Sequence, residues 1–455
     1  MKFFNSKTLL ITVLAVLVLQ SCSNDDNIDD TVADATLTID LIKDWNDLWL
    51  EVDRHAYGMR PTSTARALAY IHLAGYETAL ADMDGYTSNQ NRLENFTVDA
   101  NQRAANVDLN LALSTTYAVT MDHFMLNVDA ATDAKIGQLK ATMEADLSLG
   151  LSNSEITNSI AWGTYVANQV IAYSQTDIAA EQQIHDPQPI SYVPPVGPGY
   201  WTFSADPERA LFPYWGEVRT FVISSDQTTS VAPNLTYSTD PTSDYYAEMN
   251  EVYLVNNEAK LELNDDLWIA EFWSDDVEGM MMSPPGRMIS IANQLVVQND
   301  LSYERTLAMF LRLGFSLNDA AVSAWADKYE YMVMRPSVYI QEHIDPDFET
   351  NLYRFIYWPN PSFPGYPSGH STFASAAAGI FINEFGDTIN FTDRTHEGRT
   401  EFGGTPREYN SLSSMAQENA YSRIPLGVHM RMDCTEGYRL GYEISDAVID
   451  FDLNN

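Results

Sequence analysis

The spacing of apolar residues is the feature that most constrains the fold of this 455-residue chain. In most of the sequence apolar residues recur every three or four positions, which is the period of an amphipathic α-helix. One such stripe near the amino terminus consists of Ile39, Leu41, Ile42, Trp45, Leu48, Trp49 and Val52. Strand-like alternation is rare. The sequence therefore predicts an all-α fold in which any strands are minor.

The first 21 residues are typical of a lipoprotein signal peptide. Lys2 and Lys7 precede the run LLITVLAVLVL, which is too short to span a bilayer as a stable helix. The Leu-Gln-Ser-Cys that follows resembles a lipobox, although Gln20 is an unusual residue there, and it implies that Cys22 is lipidated. Plain secretion is the alternative. Residues 22–36 are acidic and without periodicity, so we predict a flexible tether.

Charge and cysteine content narrow the possible partners and the source of stability. The net charge of −38 argues against nucleic acid and against adsorption to anionic lipid, because both require a basic surface. Once Cys22 is lipidated, Cys434 is the only cysteine left, so no intrachain disulfide can form. We therefore expect a fold stabilised by packing alone, attached to a membrane only through its lipid.

The mature chain is predicted to have two helical halves. Residues 37–240 carry several helical patterns, one of which opens with a capping box at Ser152-Asn-Ser-Glu. They end in a segment rich in Pro, Gly and aromatic residues, 185–220, which is too broken for a helix and too long for an ordinary linker. That segment is either an ordered wrap over a functional face or a domain connector. Residues 241–455 are again helical in pattern.

Three short stretches in the C-terminal half carry the candidate chemistry. In the first, Lys328 and Arg335 lie seven residues apart, which we interpret as two turns on one helix face, with Pro336 ending or bending the helix. The second is Pro-Ser-Gly-His at 367–370, ahead of an Ala-rich run.

The third stretch contains Ser422, Arg423, His429 and Asp433, and we predict that the last two share a helix face. Each stretch has an ordinary explanation when taken alone: a solvated helix face, an N-cap, or a structural ion pair. A divalent metal at His429 and Asp433 is disfavoured, since the other histidines form no set with ligand spacing.

In this order and spacing, the three stretches resemble the superfamily of acid phosphatases and vanadium-dependent haloperoxidases. The pattern of Lys, six residues, Arg-Pro, then Pro-Ser-Gly-His, then Ser-Arg, five residues, His, three residues and Asp is fully matched. Similarity to the bacterial haloperoxidases extends from about Trp45 to Tyr442 and is strongest to iodoperoxidases of Bacteroidetes. It implies two packed helical bundles, with the active site in the C-terminal bundle, 241–455.

The residue types in this pattern suit a buried tetrahedral oxyanion. Such an anion can be buried only among cations and hydrogen-bond donors. Lys328, Arg335 and Arg423 would supply the positive charges, and arginine forks match paired oxygens. Ser368 and the Gly369 N–H would add donors at a helix N-terminus, where glycine permits close approach of the backbone.

The resemblance also implies individual roles and a cofactor, orthovanadate. His429 would be the vanadium ligand, or the nucleophile of a phosphatase, with Asp433 fixing its ring. His370 would be the acid/base, oriented by Asp276. Trp325 and Phe363 resemble halide-pocket residues, although both also suit an aromatic core. The implied cofactor-binding residues are Lys328, Arg335, Ser368, Gly369, His370, Arg423 and His429. The Pro-Pro-Gly turn is usually followed by His in these relatives, so Arg287 is expected to alter the pocket rim.

The implied activity is oxidation of a halide by hydrogen peroxide to a species like a hypohalous acid. Iodide is the first choice and bromide the second, with small organic halogen acceptors as further partners. An acid phosphatase that uses His429 as the phosphoryl acceptor is the alternative, and a non-catalytic glycan-binding surface lipoprotein is the second. The acidic stretch after Cys22 resembles a surface-export signal of Bacteroidetes lipoproteins, which implies the outer membrane or cell surface.

Overall fold

The computed structural model describes residues 30–203, 208–262, 264–354 and 360–453, so the predicted signal peptide and Cys22 lie outside it. The N-terminal half is built from six helices. They are α1 (Asp30–Asp53), α2 (Thr62–Ala79), α3 (Leu109–Phe124), α4 (Ala130–Leu147), α5 (Asn153–Ser174) and α6 (Ile178–His185). The capping box predicted at Ser152 and Glu155 is confirmed at the start of α5.

Helix α1 begins inside the predicted tether. Residues 30–36 are helical, whereas the sequence analysis assigned the whole of 22–36 to a flexible segment. Two alanines, Ala33 and Ala35, have high helix propensity, and the acidic residues around them suit the positive end of a helix dipole. Local propensity therefore extends the amphipathic helix toward the amino terminus.

The C-terminal half contains nine helices and one short antiparallel hairpin within the described ranges. The helices are α7 (Asp244–Glu262), α8 (Asp265–Phe272), α9 (Pro284–Gln298), α10 (Tyr303–Tyr331), α11 (Pro336–His343), α12 (Gly369–Phe385), α13 (Leu412–Tyr421), α14 (Arg423–Leu426) and α15 (Arg431–Asp450). Strands β1 (Phe391–Asp393) and β2 (Arg407–Tyr409) form the hairpin. The predicted all-α class is therefore confirmed. No helix in the described ranges is long and apolar enough to cross a membrane.

One apolar core runs through both halves. The aromatic residues predicted for α1, including Trp45 and Trp49, are buried in the same cluster as side chains of α10, α12 and α15. Helix α10 is central, because it packs against α2 on one side and against α12 and α15 on the other. The division at residue 240 stays a prediction, since the halves share this core.

The described residues of 185–230, which comprise the segment rich in proline and aromatic residues and the ten residues after it, are called the wrap and contact α10. The Asp319 carboxylate accepts backbone N–H bonds from residues 221, 222 and 223 at 2.8, 2.8 and 3.1 Å. The Asp327 carboxylate accepts one from Ser230 at 2.7 Å, and the Tyr329 hydroxyl donates to the Leu211 carbonyl at 2.7 Å. The segment is therefore fixed by side chains of the helix that carries Lys328.

Helices α12 and α15 pack at very short range through glycines. A Cβ atom added to Gly441 of α15 would overlap the Ser375 hydroxyl and the Thr372 carbonyl of α12. Gly437 faces the Ser368 carbonyl in the same way. These contacts bring the start of α15 against the start of α12, which is where the second and third sequence stretches lie.

Candidate active site

Lys328 and Arg335 come from two helices, and the prediction that both lie on one helix face is wrong. Helix α10 ends at Tyr331, and Met332 follows with a left-handed φ of 51°. Arg335 is the N-cap of α11 and Pro336 is its first residue. Proline suits a first helical position, where its missing N–H costs nothing, and it disfavours a helix interior. The Arg-Pro pair therefore starts a new helix.

Lys328 is wholly buried beneath the loop that precedes α12. Its Nζ lies 3.1 Å from the Pro364 carbonyl and 3.0 Å from the Gly365 carbonyl, and it also donates to the Pro367 carbonyl. Burial and the neighbouring Arg335 charge lower the Lys328 pKa well below its usual value. The lysine thus connects the end of α10 to the Pro-Ser-Gly-His stretch.

The Pro-Ser-Gly-His stretch begins α12, as predicted. Ser368 is the N-cap, and its hydroxyl accepts from the Ser371 N–H at 3.4 Å. Its own N–H donates to the Asp433 carbonyl at 2.9 Å. A Cβ atom on Gly369 would lie 3.3 Å from the Trp325 ring, so a larger residue would crowd this helix N-terminus. The buried start of α12 is therefore suited to an anion.

His429 and Asp433 are in contact, although His429 does not lie on a helix. Helix α15 begins at Arg431, two residues after the histidine. The Asp433 Oδ2 atom caps this helix by accepting from the Met430 N–H, and it lies 3.1 Å from both that nitrogen and His429 Nδ1. The expected contact is thus formed by helix-capping geometry rather than by two residues on one helix face.

Arg335 places a hydrogen-bond donor against the His429 ring. Arg335 Nη1 lies 3.0 Å from His429 Nε2 and donates to the Val428 carbonyl at 2.9 Å, while its Nε donates to the Phe363 carbonyl at 3.0 Å. A guanidinium can only donate, so His429 Nε2 is an acceptor and the ring proton is on Nδ1, facing Asp433. The carboxylate therefore fixes the tautomer in which Nε2 is unprotonated.

Arg423 is held by the residues that follow α8. Its Nη1 donates to the Trp273 carbonyl at 3.0 Å and contacts the Ser274 carbonyl at 3.4 Å, and its Nη2 pairs with Asp276. Arg423 Nε and Arg335 Nη2 are buried and find no hydrogen-bond partner among the residues the structure describes. Two unpartnered cationic donors fit an oxyanion such as vanadate or phosphate, which has acceptor oxygens for both.

His370 lies close to the same segment. Its Nε2 is 3.1 Å from the Ser274 carbonyl and 3.9 Å from Asp276 Oδ2. A carbonyl can only accept, so Nε2 carries the proton and Nδ1 is the basic nitrogen. Burial and the Arg423 charge lower the His370 pKa to about 3. Although burial opposes it, His370 and Arg423 hold the pKa of Asp276 below its usual value.

Hydrogen bonds show that the three sequence stretches meet. Lys328 donates to the Pro367 carbonyl, and the Ser368 N–H donates to the Asp433 carbonyl. Arg335 contacts His429 directly. Burial lowers the His429 pKa well below its ordinary value, and the charges of Arg335, Lys328 and Arg423 lower it further. The three cations predicted from separate stretches therefore all act on one imidazole. That proximity is the central geometric expectation of the sequence pattern.

The two aromatic residues predicted for a halide pocket are neighbours. The ring centroids of Trp325 and Phe363 are 4.7 Å apart, and Lys328 Nζ lies 5.5 and 5.3 Å from them. Phe363 and Asp276 line one side of a mostly apolar cavity of about 50 Å³. Its other lining residues are Arg60, Pro61, Leu211, Asp275, Val277, Glu278, Pro284, Leu352, Pro361 and Ser362. Phe363 is thus positioned between the cations and an apolar space.

Arg287 is not at a pocket rim, so that prediction is wrong. Its side chain has no exposed surface and is paired with Asp393 and Asp275. The sequence analysis also missed the groups that orient the cations, which are carbonyls of Trp273, Phe363, Val428 and the 364–367 loop. Every residue carries a carbonyl, so no sequence signal could have identified these.

Three comparisons agree with this geometry. Residues 308–454 match a family model described as the second helical-bundle domain of VCPO. A vanadium chloroperoxidase from Curvularia inaequalis is 23% identical over an alignment of length 483, and the alignment covers 86% of this chain and 78% of that protein. The fold matches a crystal structure of a bacterial vanadium-dependent iodoperoxidase with a TM-score of 0.81 at 24% identity, covering 92% and 98% of the two chains.

A bacterial vanadium-dependent chloroperoxidase in its holo form is more distant, with a TM-score of 0.64 at 16% identity over 87% and 92% of the chains. These structural likenesses establish the two-bundle haloperoxidase fold, and the sequence match lies in the half that contains Lys328, Arg335, Ser368, Arg423 and His429. The chain is thus similar to vanadium haloperoxidases in its fold, and its residues 308–454 match their second helical-bundle domain.

Proposed function

We propose that the protein is a vanadate-dependent haloperoxidase that oxidises a halide with hydrogen peroxide. The observation that carries this proposal is the convergence of three buried cations on His429, whose Nε2 lone pair is directed toward Arg335. Two buried guanidinium donors, Arg335 Nη2 and Arg423 Nε, have no partner in the described part of the chain. An oxyanion would satisfy both donors and balance the cations.

The residues divide into those that hold the oxyanion and those that handle protons. Lys328, Arg335 and Arg423 would bind its oxygens, with Ser368 and the Gly369 N–H as further donors, and His429 Nε2 would ligate vanadium. Bound vanadate acts as a Lewis acid that activates hydrogen peroxide toward the halide. Asp433 would keep the ligand nitrogen unprotonated by holding the proton on Nδ1.

His370 would accept a proton from incoming peroxide. Its depressed pKa keeps the ring neutral near neutral pH, and Nδ1 is its free basic nitrogen because Nε2 faces the Ser274 carbonyl. Asp276 would stabilise the imidazolium that forms, since its Oδ2 lies 3.9 Å from the ring. In this arrangement Asp276 serves both His370 and Arg423.

Iodide is the proposed halide, with bromide as the second choice. The aromatic pair Trp325 and Phe363 and the apolar cavity beside it suit a large polarisable anion with a weakly held hydration shell. The similarity to a protein described as an iodoperoxidase supports the same order. Small organic molecules that accept oxidised halogen are proposed as further substrates.

A phosphatase of the same superfamily is the second candidate. The cation set suits phosphate as well as vanadate, because both are tetrahedral oxyanions. His429 Nε2 is unprotonated, as a phosphoryl acceptor must be. The two candidates differ in whether added vanadate creates an activity or inhibits one.

The test is to reconstitute the purified protein with orthovanadate and to measure peroxide consumption with iodide, bromide and chloride. We expect iodide-dependent turnover that His429→Ala abolishes, because the substitution removes the proposed vanadium ligand. His185→Ala, which changes a histidine at the end of α6, is the matched control and should retain activity. A phosphomonoesterase activity that vanadate inhibits, without halide oxidation, would favour the phosphatase instead.

We also propose that the chain is an exported lipoprotein attached through Cys22 at the outer membrane or cell surface. The basic, apolar and Leu-Gln-Ser-Cys order of the first 22 residues supports this. Incorporation of labelled fatty acid during expression in a Gram-negative host should be lost in Cys22→Ser. Equal labelling of both proteins would contradict the proposal.

A further inference from the structure

Arg287 is a buried cation with no role in the oxyanion contacts described above. Its Nη2 and Nε atoms lie 2.9 and 3.2 Å from Asp393 Oδ2, and its Nη1 lies 3.5 Å from Asp275 Oδ1. Nη1 also contacts His396 Nε2, which in turn lies 3.2 Å from the Phe272 carbonyl. All four side chains are fully buried. The cluster therefore places charges in the core behind the candidate active site.

The guanidinium of Arg287 also contacts two aromatic rings. It lies 4.3 Å from the ring centroid of Phe272 and 4.5 Å from that of Trp273. Together with its pairing to Asp275, this means that Arg287 touches three of the four residues that immediately precede Asp276. A cation over a desolvated aromatic ring contributes roughly 2 kcal/mol.

The segment held in this way provides most of the contacts of Arg423. The carbonyls of Trp273 and Ser274 accept from the Arg423 guanidinium, and Asp276 pairs with it. The Ser274 carbonyl also orients His370. A displacement of residues 273–276 would therefore move both Arg423, which is proposed to bind the oxyanion, and His370, which is the proposed proton acceptor.

The backbone of this segment has an unfavourable conformation that needs external support. Asp275 has a φ of 43°, in the left-handed region that costs a residue with a side chain about 1 kcal/mol or more. Its carbonyl accepts from Arg60 Nη2 at 2.8 Å, and its carboxylate lies 3.5 Å from Arg287. Two arginines thus fix the residue that turns the chain between the Ser274 carbonyl and the Asp276 side chain.

We propose that Arg287 is a positioning residue for the Arg423, Asp276 and His370 group, acting through residues 272–275. A buried ionic cluster is seldom the most stable filling for a core, because desolvation offsets much of its attraction. Three of its five side-chain partners, Phe272, Trp273 and Asp275, belong to the one segment that orients two candidate active-site side chains. The inference rests on the proposed function only in its turnover measurement. The anion-binding measurement does not require that the protein oxidise a halide.

The test compares Arg287→Met, Arg287→Lys and the wild-type protein for binding of orthovanadate and of inorganic phosphate by titration calorimetry. Methionine fills a similar volume without a charge, so Arg423 should lose its fixed orientation and both anions should bind about 10-fold to 100-fold more weakly. Lysine keeps the charge without the fork, and an intermediate affinity is expected. In turnover, Arg287→Met should also shift the pH dependence of kcat, because Asp276 and His370 move relative to each other.

Arg66→Met is the matched control. Arg66 is also buried, pairs with Glu181 at 3.0 Å and Asp177 at 4.0 Å, and lies 5.0 Å from the Tyr70 ring in the N-terminal half. It should lower the melting temperature as much as Arg287→Met does. It should leave the anion affinities and the pH profile at their wild-type values.

Equal anion affinities and an unchanged pH profile in folded Arg287→Met would overturn the inference and leave Arg287 a purely structural residue. Should that variant not fold, Asp275→Asn replaces it, because it removes the charge with little change in volume and should weaken anion binding in the same direction. Normal binding in folded Asp275→Asn would likewise overturn the inference. A wild-type protein that binds both anions but oxidises no halide would refute the proposed function alone. One that binds neither anion would overturn both.

Discussion

Asp433 joins the second and third sequence stretches through one residue. Its Oδ2 atom contacts His429 Nδ1 and the Met430 N–H, and its carbonyl accepts from the Ser368 N–H. The carboxylate therefore sets the tautomer of the proposed ligand, while the backbone of the same residue fixes the N-terminus of α12. The distance between the histidine and the helix N-terminus is thus determined locally.

Asp433→Asn should weaken orthovanadate binding by about 10-fold to 100-fold. An amide has the size of a carboxylate but can place an N–H group beside His429 Nδ1. That group favours the tautomer in which Nδ1 is unprotonated and Nε2 carries the proton. Titration calorimetry with orthovanadate checks this. Asp446→Asn, on the exposed face of the same helix, is the control and should bind normally. Wild-type affinity in Asp433→Asn would contradict the assigned role.

At the scale of residues, the charged and imidazole side chains could be predicted from the sequence. The carbonyl groups that orient them could not. Lys328, Arg335, Arg423 and His429 were identified because their order and spacing resemble the haloperoxidase pattern, and the three cations suit an oxyanion. The carbonyls that orient them, such as that of Ser274, have no residue-specific signal. Arg287 was noted only as a departure, since its partner Asp393 is 106 positions away.

At the scale of elements, the crossing of α12 and α15 determines whether the site can form. Gly379 faces the Ser445 side chain, and Gly437 and Gly441 face the first two turns of α12. These close approaches place Ser368 beside Asp433. Side chains with a Cβ atom at these positions would separate the two helices and the stretches they carry.

Gly441→Ala should lower the free energy of unfolding by about 1 to 3 kcal/mol, because the added methyl group overlaps the Ser375 hydroxyl and the Thr372 carbonyl. Gly137→Ala in exposed α4 is the control, since nothing lies within 4 Å of its added Cβ atom. It should raise stability by about 0.5 to 1 kcal/mol through helix propensity. Urea unfolding measures both, and a stable Gly441→Ala protein would show that the crossing tolerates separation.

Helical periodicity predicted the long elements well, but it could not locate every break. The apolar stripe of α1 and the capping box of α5 are both present as expected. A spacing of seven residues, in contrast, is compatible with one helix or with two helices joined by a turn. The left-handed Met332 decides between them, and methionine gives no sequence indication of that conformation.

At the scale of the whole molecule, α10 links the two halves through polar contacts as well as through the core. Asp319 is buried beneath the backbone of residues 221–223, and Asp327 beneath Ser230. Burial raises the Asp319 pKa to about 6, although three backbone donors oppose the shift. The wrap is therefore attached to α10 by a carboxylate whose charge costs stability.

The sign of the resulting pH dependence follows from proton binding. The Asp319 carboxyl has a pKa of about 3.8 in the unfolded protein and about 6 in the folded protein, so the folded protein binds its proton more tightly. The free energy of unfolding therefore falls as the pH rises from about 4 to 6. Asp319→Asn cannot ionise. Its destabilisation relative to wild type should therefore be larger at pH 4 than at pH 7, by about 2 kcal/mol. Urea unfolding at both pH values tests this, and an equal difference at both would contradict it.

The whole-molecule arrangement was only partly predictable. An ordered wrap over a functional face and a domain connector were the two alternatives for the segment from 185 to 220. Side chains of α10 bond to its Leu211 and Arg219 carbonyls, and the choice between the alternatives stays a prediction. The shared core was not predicted, because helical patterns indicate which face of a helix is apolar and not which partner covers it.

The central position of α10 imposes a requirement on the half of the chain that contributes none of the oxyanion-binding cations. A slip of this helix by one residue along its axis would move Lys328 by about 1.5 Å, while a misplacement of 1 Å can reduce a reaction rate by about 100-fold. Packing of α2 against α10, and backbone N–H bonds from the wrap to Asp319, fix the position of α10 along its axis. Substitutions far from His429 that displace α10 should therefore reduce the reaction rate, as substitutions beside His429 do.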